Sequence, residues 1–340
     1  MYVFSNTERT NKKASEYETK SLLYLLGHSR DKKDISVVAI DCFNDVTGMS
    51  ETGEKLWDIQ SKGVANLTPR KIGRCLITLF KNYDSDFIFF DYILFIPKID
   101  EKYLSDGTKG VYGIKGFNKE QALKVKEGLV QELIKHGNPY QKEKVDCFLD
   151  KALIVENRKN TSTYVKDIVR FKHQNTKDNS FYEEIFKEIQ NLQSVKKHSY
   201  IEGEVIEKPI DVLSFDRYIQ VNDLKMLVIN RFVGVDLFNQ NMMPPSFLGV
   251  AKNLEVQDLQ DLILDCKSQI GKAFFDKNQR REFWSVFEHI VSSINGDPRV
   301  SISDICETLG TTVTRRLSHL NDYGVMFLSA MVKDGLTNED

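Results

Sequence analysis

Hydrophobic and polar positions follow two different periods along the first third of the chain. Residues 14–28, ASEYETKSLLYLLGH, put Tyr17, Leu22, Leu25 and Leu26 on one side at helical spacing, and Gly27 supplies a stop. Residues 1–13 before them are polar and read as flexible. ISVVAID (35–41) is a β-branched run and predicts a strand. NDVTGMSETGEK (44–55) is dense in turn formers and reads as the connection of a hairpin, with residues 56–62 of LWDIQSKG as the returning strand. LTPRKIGRCLITLFKNY (67–83) predicts a helix with Thr68 as N-cap and Pro69 at its first position. FIFFDYILFIP (87–97) is a continuous apolar run, the pattern of a strand buried on both faces. The order is α-β-β-α-β. Its sheet should be mixed, with an antiparallel hairpin and a last strand delivered by a crossover helix.

Further along, NKEQALKVKEGLVQELIK (118–135) predicts a helix capped by Asn118 and closed by HGNP, and ALIVEN (152–157) a strand. The texture then shifts to a polar stretch and a helix near 180–195. Short strands are expected in YIEGEVIEKPIDVLSF and KMLVINRFVGV, a loop at 239–246, and a mostly helical remainder from 256. The expected class is α/β within an α+β whole: a core domain over 1–157 and an accessory, mostly helical domain over 158–340. No internal repeat or low-complexity block interrupts it.

Composition adds little. The chain has 340 residues, 41% hydrophobic and 28% charged, and a net charge of −2, so bulk charge makes no case for nucleic acid while leaving room for a local basic groove. Cys42, Cys75, Cys147, Cys266 and Cys306 are scattered singly, an odd number without CxxC spacing, which argues against a disulfide framework or a zinc site. No signal peptide and no apolar run near the ~18 residues of a membrane span is expected, so the reading is a cytoplasmic protein with no membrane partner.

Alternation on the short strand LWDIQSKG puts Asp58, Gln60 and Lys62 on one face and Trp57, Ile59 and Ser61 on the other. A hairpin would bring Asp41 or Asp45 towards Gln60 and Lys62. An acid, a neutral oxygen and a lysine about one point suit metal-assisted phosphodiester hydrolysis. Mg²⁺ takes hard oxygen ligands, often one or two carboxylates completed by water and substrate phosphate. Asp45 could supply the charge, the Gln60 side chain and the Ser61 carbonyl the neutral ligands. Lys62 would orient or deprotonate the attacking water and offset charge in the transition state. A polar, solvated sheet face is the competing reading.

This D…QxK arrangement, Asp45 followed by Gln60-Ser61-Lys62, resembles the PD-(D/E)xK nuclease superfamily in its glutamine variant. More narrowly, IDCFNDV…LWDIQSKG after a helix containing YE looks like the double-stranded DNA endonuclease domain of bacterial anti-phage effectors. The resemblance covers roughly residues 14–97. That family's strand ends E-x-x-D-D-V; here Asp41 stands at the glutamate, Asn44 at the first aspartate, and Asp45-Val46 matches. Glu18 aligns with the polar residue that the family's first helix often brings to the site. The resemblance implies a restriction-endonuclease-like core, Mg²⁺ (or Mn²⁺) as cofactor, duplex DNA as substrate, a 5′-phosphate product and a role in antiviral defence. It also implies restraint by a partner, here expected to be an SMC-like or helicase-like ATPase. A homo-oligomer is also open. The alternative is a catalytically inactive, nuclease-like DNA-binding or scaffold subunit.

Around this site, residues 62–81 carry Lys62, Arg70, Lys71, Arg74 and Lys81 with no acid between them. Arg70, Lys71 and Arg74 are the candidates for positioning DNA phosphates, against the alternative of a solvated helix face. GVYGIKG (110–116) reads as a loop, and the histidines lack HxH or HExxH spacing. RREFWSVFEH (280–289) reads as an amphipathic core helix. SISDICETLGTTVTRRLSHLNDYGVM (301–326) resembles a helix-turn-helix, with a first helix over 303–309, a turn at Gly310, a second over 311–320, and Arg315 and Arg316 facing phosphates or bases. DNA contact, partner docking and plain packing all remain open for it.

Overall fold

The computed structural model describes residues 1–4, 12–28, 32–138, 140–169, 171, 177–197, 200–234, 236–238, 243–252, 254–314 and 317–337. In chain order the elements are β1 (Tyr2–Val3), α1 (Lys12–His28), β2 (Val37–Ile40), β3 (Val46–Met49), β4 (Leu56–Ser61), α2 (Pro69–Cys75), α3 (Ile77–Tyr83), β5 (Phe89–Pro97), β6 (Val111–Tyr112), α4 (Lys119–Lys135), α5 (Lys142–Lys151) and β7 (Ala152–Asn157). They continue as α6 (Thr161–Val169), α7 (Asn179–Lys196), β8 (Val205–Ile206), β9 (Tyr218–Gln220), α8 (Val221–Val233), α9 (Val256–Phe275), α10 (Arg280–Gly296), α11 (Ile302–Thr314) and α12 (Asp322–Thr337). The protein is α+β: a mixed seven-stranded sheet flanked by helices, and a helical C-terminal part. Among the described residues no helix is long and apolar enough to cross a membrane.

The chain folds into two units, residues 1–164 with 186–221, and residues 165–185 with 222–340. The division therefore differs from a single cut near 157. Residues 186–221 return to the first unit because β9 pairs with β2 and β8 with β1. The Tyr2–Val3 pair, expected in a flexible stretch, is thereby a strand.

The sheet order is β6-β7-β5-β4-β3-β2-β9. Strands β2, β3 and β4 form an antiparallel meander, and β4, β5 and β7 run parallel. The extra strand corrects the two-stranded hairpin. A third of the supposed connection is itself β3, and its four residues are buried. Gly48 disguises it as a turn, but a Cβ there would sit 2.8 Å from Leu25 Cδ2, so glycine is what lets α1 close onto the sheet. The true turns are 41–45, closed by Asp41 N–H to Asp45 O (3.1 Å) with Asp41 at φ +52°, and 50–55, with Gly53 at φ +74°.

Helix 67–83 begins as expected, with the Thr68 hydroxyl accepting from Lys71 N–H, but Leu76 divides it into α2 and α3 through a tighter bond to Gly73 O (3.1 Å). Glycines bring α2 against α4: a Cβ on Gly73 would lie 1.9 Å from Val125 O, and one on Gly128 2.0 Å from Arg70 O. Strand β5 is buried over most of its length, but Phe90 is exposed, so burial on both faces holds only for its later residues.

Three expectations in the second half change. KMLVINRFVGV lies largely in helix α8, not in strands; Leu224, Val228, Ile229, Phe232 and Val233 are buried at helical spacing despite their β-branching. YIEGEVIEKPIDVLSF contains only the two-residue β8 and a 3₁₀ turn, Pro209–Phe215. Helix α11 runs unbroken through Gly310 to Thr314, so the turn expected there is absent; Arg315 and Arg316 lie outside the described residues.

Candidate active site

The antiparallel register explains how the polar residues meet. Val46 opposes Ile59 and Thr47 opposes Asp58, so Asp45, one step earlier, falls opposite Gln60. Paired residues share a face. Thr47, Asp58 and Gln60 therefore face α3, and Gly48 faces α1. The meander does what the simple hairpin could not: β3 carries the aspartate back to the far end of β4.

The Asp45 carboxylate is buried and heavily bonded. Its Oδ2 accepts from Gln60 Nε2 (2.8 Å), Ser61 N–H (2.7 Å) and Ser61 Oγ–H (2.7 Å). Gln60 Oε1 accepts from the Thr78 hydroxyl on α3 (2.7 Å). Gln60 thus presents its amide hydrogens to Asp45 and its oxygen to Thr78.

Asp58 shares a strand face with Gln60 but is bonded within the fold and does not line the cavity described below. It is fully buried. Asn44 and Asn82 each donate an amide N–H to its Oδ2 at 2.7 Å, and Thr47 donates to Oδ1 at 3.4 Å. Burial pushes its carboxyl up to about 7, aided by the Asp45 charge and opposed by the amide donors. Asn82 also donates to Phe43 O (3.2 Å) and accepts from the Tyr2 hydroxyl (3.0 Å). This network straps the 41–45 turn to α3 and to the N-terminal strand. Asn44, where the resembling family has an aspartate, is a strut of that network.

Two cations from the returning segment complete the surroundings. Lys197 Nζ bonds the Glu18 carboxylate, and Arg217 bonds Asp41 through its carbonyl (2.7 Å) and carboxylate (3.3 Å). Glu18 titrates above its ordinary range because it is buried; Asp45 and Asp41 raise it further, while Lys197 opposes them.

A cavity of about 380 Å³ opens beside these groups. Its lining includes Asp41, Asn44, Asp45 and Gln60, the α3 residues Ile77, Thr78, Lys81 and Asn82, and His136, together with aromatic rings such as Phe4 and Phe43. Of the sequence candidates, Asp41, Asp45 and Gln60 meet in this cavity. Glu18, Ser61 and Lys62 do not line it. Lys62 follows β4, its N–H bonded to Phe95 O (2.9 Å), and its ammonium lies close enough to Cys75 to oppose the upward shift that burial imposes on that thiol. Arg70 and Arg74 are turned to α4, bonding Glu127 (2.7 Å) and Gln131 (3.3 Å), and Lys71 is exposed.

Sequence reasoning missed Thr78 and Asn82, although their i, i+4 spacing below a polar strand was a usable signal. It also missed Tyr2, Lys197 and Arg217, for which no local pattern exists.

Mg²⁺ takes hard oxygen ligands, whereas the groups that face Asp45 Oδ2 in this arrangement are the Gln60 amide N–H, the Ser61 backbone N–H and the Ser61 hydroxyl, so a hydrogen bond closes the Asp45–Gln60 pair. Among the described residues no group of three or more His, Cys, Asp and Glu side chains is gathered to hold a metal ion. No protein-family model, curated protein or solved structure matches the chain.

Proposed function

We propose that the first unit is a metal-dependent endonuclease acting on double-stranded DNA, of the PD-(D/E)xK kind with a restriction-endonuclease-like core. One observation carries the reading: a buried carboxylate, Asp45, stands in register with Gln60, and both line a cavity of about 380 Å³. Asp45, the Gln60 amide oxygen and the Ser61 carbonyl would hold Mg²⁺ (or Mn²⁺). The bound ion would lower the pKa of a coordinated water and offset charge on the scissile phosphate.

The hydrogen bonds are suited to that change. A half turn of the Gln60 amide brings Oε1 towards Asp45 and Nε2 towards Thr78. A hydroxyl both donates and accepts, so Thr78 keeps its bond in either state. The two Ser61 donors hold Asp45 in place throughout. Lys62, two residues past Gln60 and just beyond the end of β4, would orient or deprotonate the attacking water once substrate is bound. Asp41 and Glu18 support the site electrostatically.

The biological reading is an effector of antiviral defence controlled by a partner subunit, an SMC-like or helicase-like ATPase. Its support is the sequence resemblance alone.

The test uses the full chain, linear duplex DNA and Mg²⁺ or Mn²⁺, with its natural partner added in a second series. Cleavage that yields 5′-phosphate ends and disappears in Asp45→Asn, in Lys62→Ala and with chelator supports the reading. DNA binding without cleavage in both series refutes it. That outcome would favour a catalytically inactive DNA-binding subunit, a reading that the closed Asp45–Gln60 hydrogen bond also suits.

A further inference from the structure

We propose that Lys81 and His136, which line the same cavity as Asp45 and Gln60, form a phosphate-holding part of its wall. The ligand class is a backbone phosphate of nucleic acid. The inference rests on the nuclease reading for the identity of the polymer, but not for the anion itself.

The sequence offered a run of basic residues from Lys62 to Lys81, and the structure sorts them. Arg70 bonds the Glu127 carboxylate and Arg74 the Gln131 amide, both on α4, so holding phosphate would compete with bonds already made. Lys81 stands on the α3 face that lines the cavity, at i, i+1, i+4 and i+5 with Ile77, Thr78 and Asn82. Among the described residues its ammonium makes no hydrogen bond or ion pair. Its helix is tied to β4 one turn before it and one residue after it, because Thr78 bonds Gln60 and Asn82 bonds Asp58. An uncommitted ammonium is thus carried by a rigid element.

His136 caps the end of α4 and reaches the same cavity, its Nε2 3.1 Å from Glu132 Oε1. A cavity of about 380 Å³ has room for a phosphodiester group. The lining also differs in sign: Asp41 and Asp45 repel an anion, whereas Lys81 attracts one. A phosphate entering alone would settle at Lys81, leaving the carboxylates for a cation.

Two measurements on the full chain test this. The first is anisotropy of a labelled 20-base-pair duplex in EDTA across a salt series. One phosphate contact contributes about 0.9 to the slope of log K against log salt. Lys81→Gln should therefore lower the slope by about 0.9 and the affinity about eightfold at 0.1 M salt, equally for unrelated sequences. Arg70→Gln should change the slope by less than half as much. The second is NMR of the histidine rings during titration with inorganic phosphate, with His136→Gln identifying the resonance. Millimolar phosphate should shift the His136 ring in the wild type and leave it unmoved in Lys81→Gln.

An unchanged slope in Lys81→Gln, together with a His136 ring indifferent to phosphate, overturns the proposal and leaves the nuclease reading standing. A Lys81-dependent phosphate shift in a protein that binds no DNA upholds the anion wall and removes the polymer.

Discussion

The two units bury very different material. In the first, Asp45, Gln60 and Ser61 form one buried hydrogen-bonded cluster and Asn44, Thr47, Asp58 and Asn82 another, a polar network spread over two strands, a turn and a helix. In the second, the buried polar side chains among the described residues are Lys225, Glu288 and Ser329, and the interior is dominated by Phe171, Phe232, Phe274, Phe283, Trp284 and Phe287 packed ring against ring. Removing polar groups from water costs free energy unless every bond is replaced. A helical unit can meet that demand by leaving polar groups out of its core. A sheet that admits such a network and bonds its members so fully has a use for them, which makes the first unit the place to look for chemistry.

The sharpest way to break the contrast is Asp45→Ala. Cleavage should fall by more than about 100-fold, as expected for a lost metal ligand. Loss of the carboxylate also leaves the Ser61 N–H and hydroxyl without their acceptor, at about 1–3 kcal/mol each before relaxation, and Gln60 Nε2 with only a 3.4 Å bond to Ser61 O, readable in urea unfolding. An Asp45→Ala protein that cuts normally would reduce the network to scaffolding.

Backbone contact should not distinguish the units. Gly73→Ala meets Val125 O at 1.9 Å in the first, and Gly335→Ala meets Val233 O at 1.5 Å in the second. Each should destabilise by about 1–3 kcal/mol or more, reversing the usual gain from alanine in a helix. Unfolding midpoints compared under one condition test it.

Asp58 gives the network a pH signature. Its folded pKa, about 7, lies above the ordinary carboxylate value, so the folded state holds the proton more tightly than the unfolded chain. Stability from this group is fully present below the ordinary range and is lost as pH rises towards about 7. The slope should approach about 1.4 kcal/mol per pH unit between those limits, and Asp58→Asn should flatten it. A slope unchanged in the variant would assign the dependence elsewhere. The smallest effect is expected from Ser61→Ala, which removes one of three donors to Asp45, at about 1 kcal/mol by the same unfolding measurement.

What the sequence revealed of all this depends on distance along the chain. Asp45, Gln60 and the Thr68 cap were legible because strand alternation and helix-start chemistry are local rules. Strand β3 was hidden because Gly48, an adaptation to the close approach of α1, imitates a turn. Helix α8 was misread because its β-branched content outweighed its spacing. The role of Asp58 could not be read from LWDIQSKG at all, since two of its partners come from the 41–45 turn and from α3. Lys197 and Arg217 lie more than 170 positions from the acids they meet, beyond any local pattern.

The way the chain returns to the first unit bears on how the protein can be taken apart. The polypeptide crosses between the units at residues 164–165, 185–186 and 221–222, so the units are interleaved and no single cut separates them. A truncation at residue 157 removes β9, opening the edge of β2, and strips both counter-cations from Glu18 and Asp41. Such a fragment would be a poor stand-in for the first unit, and its silence in an assay would say little about the intact chain. The same threading gives residues 186–221 a double allegiance: covalently continuous with the helical unit at both ends, they are bonded to the acids of the sheet.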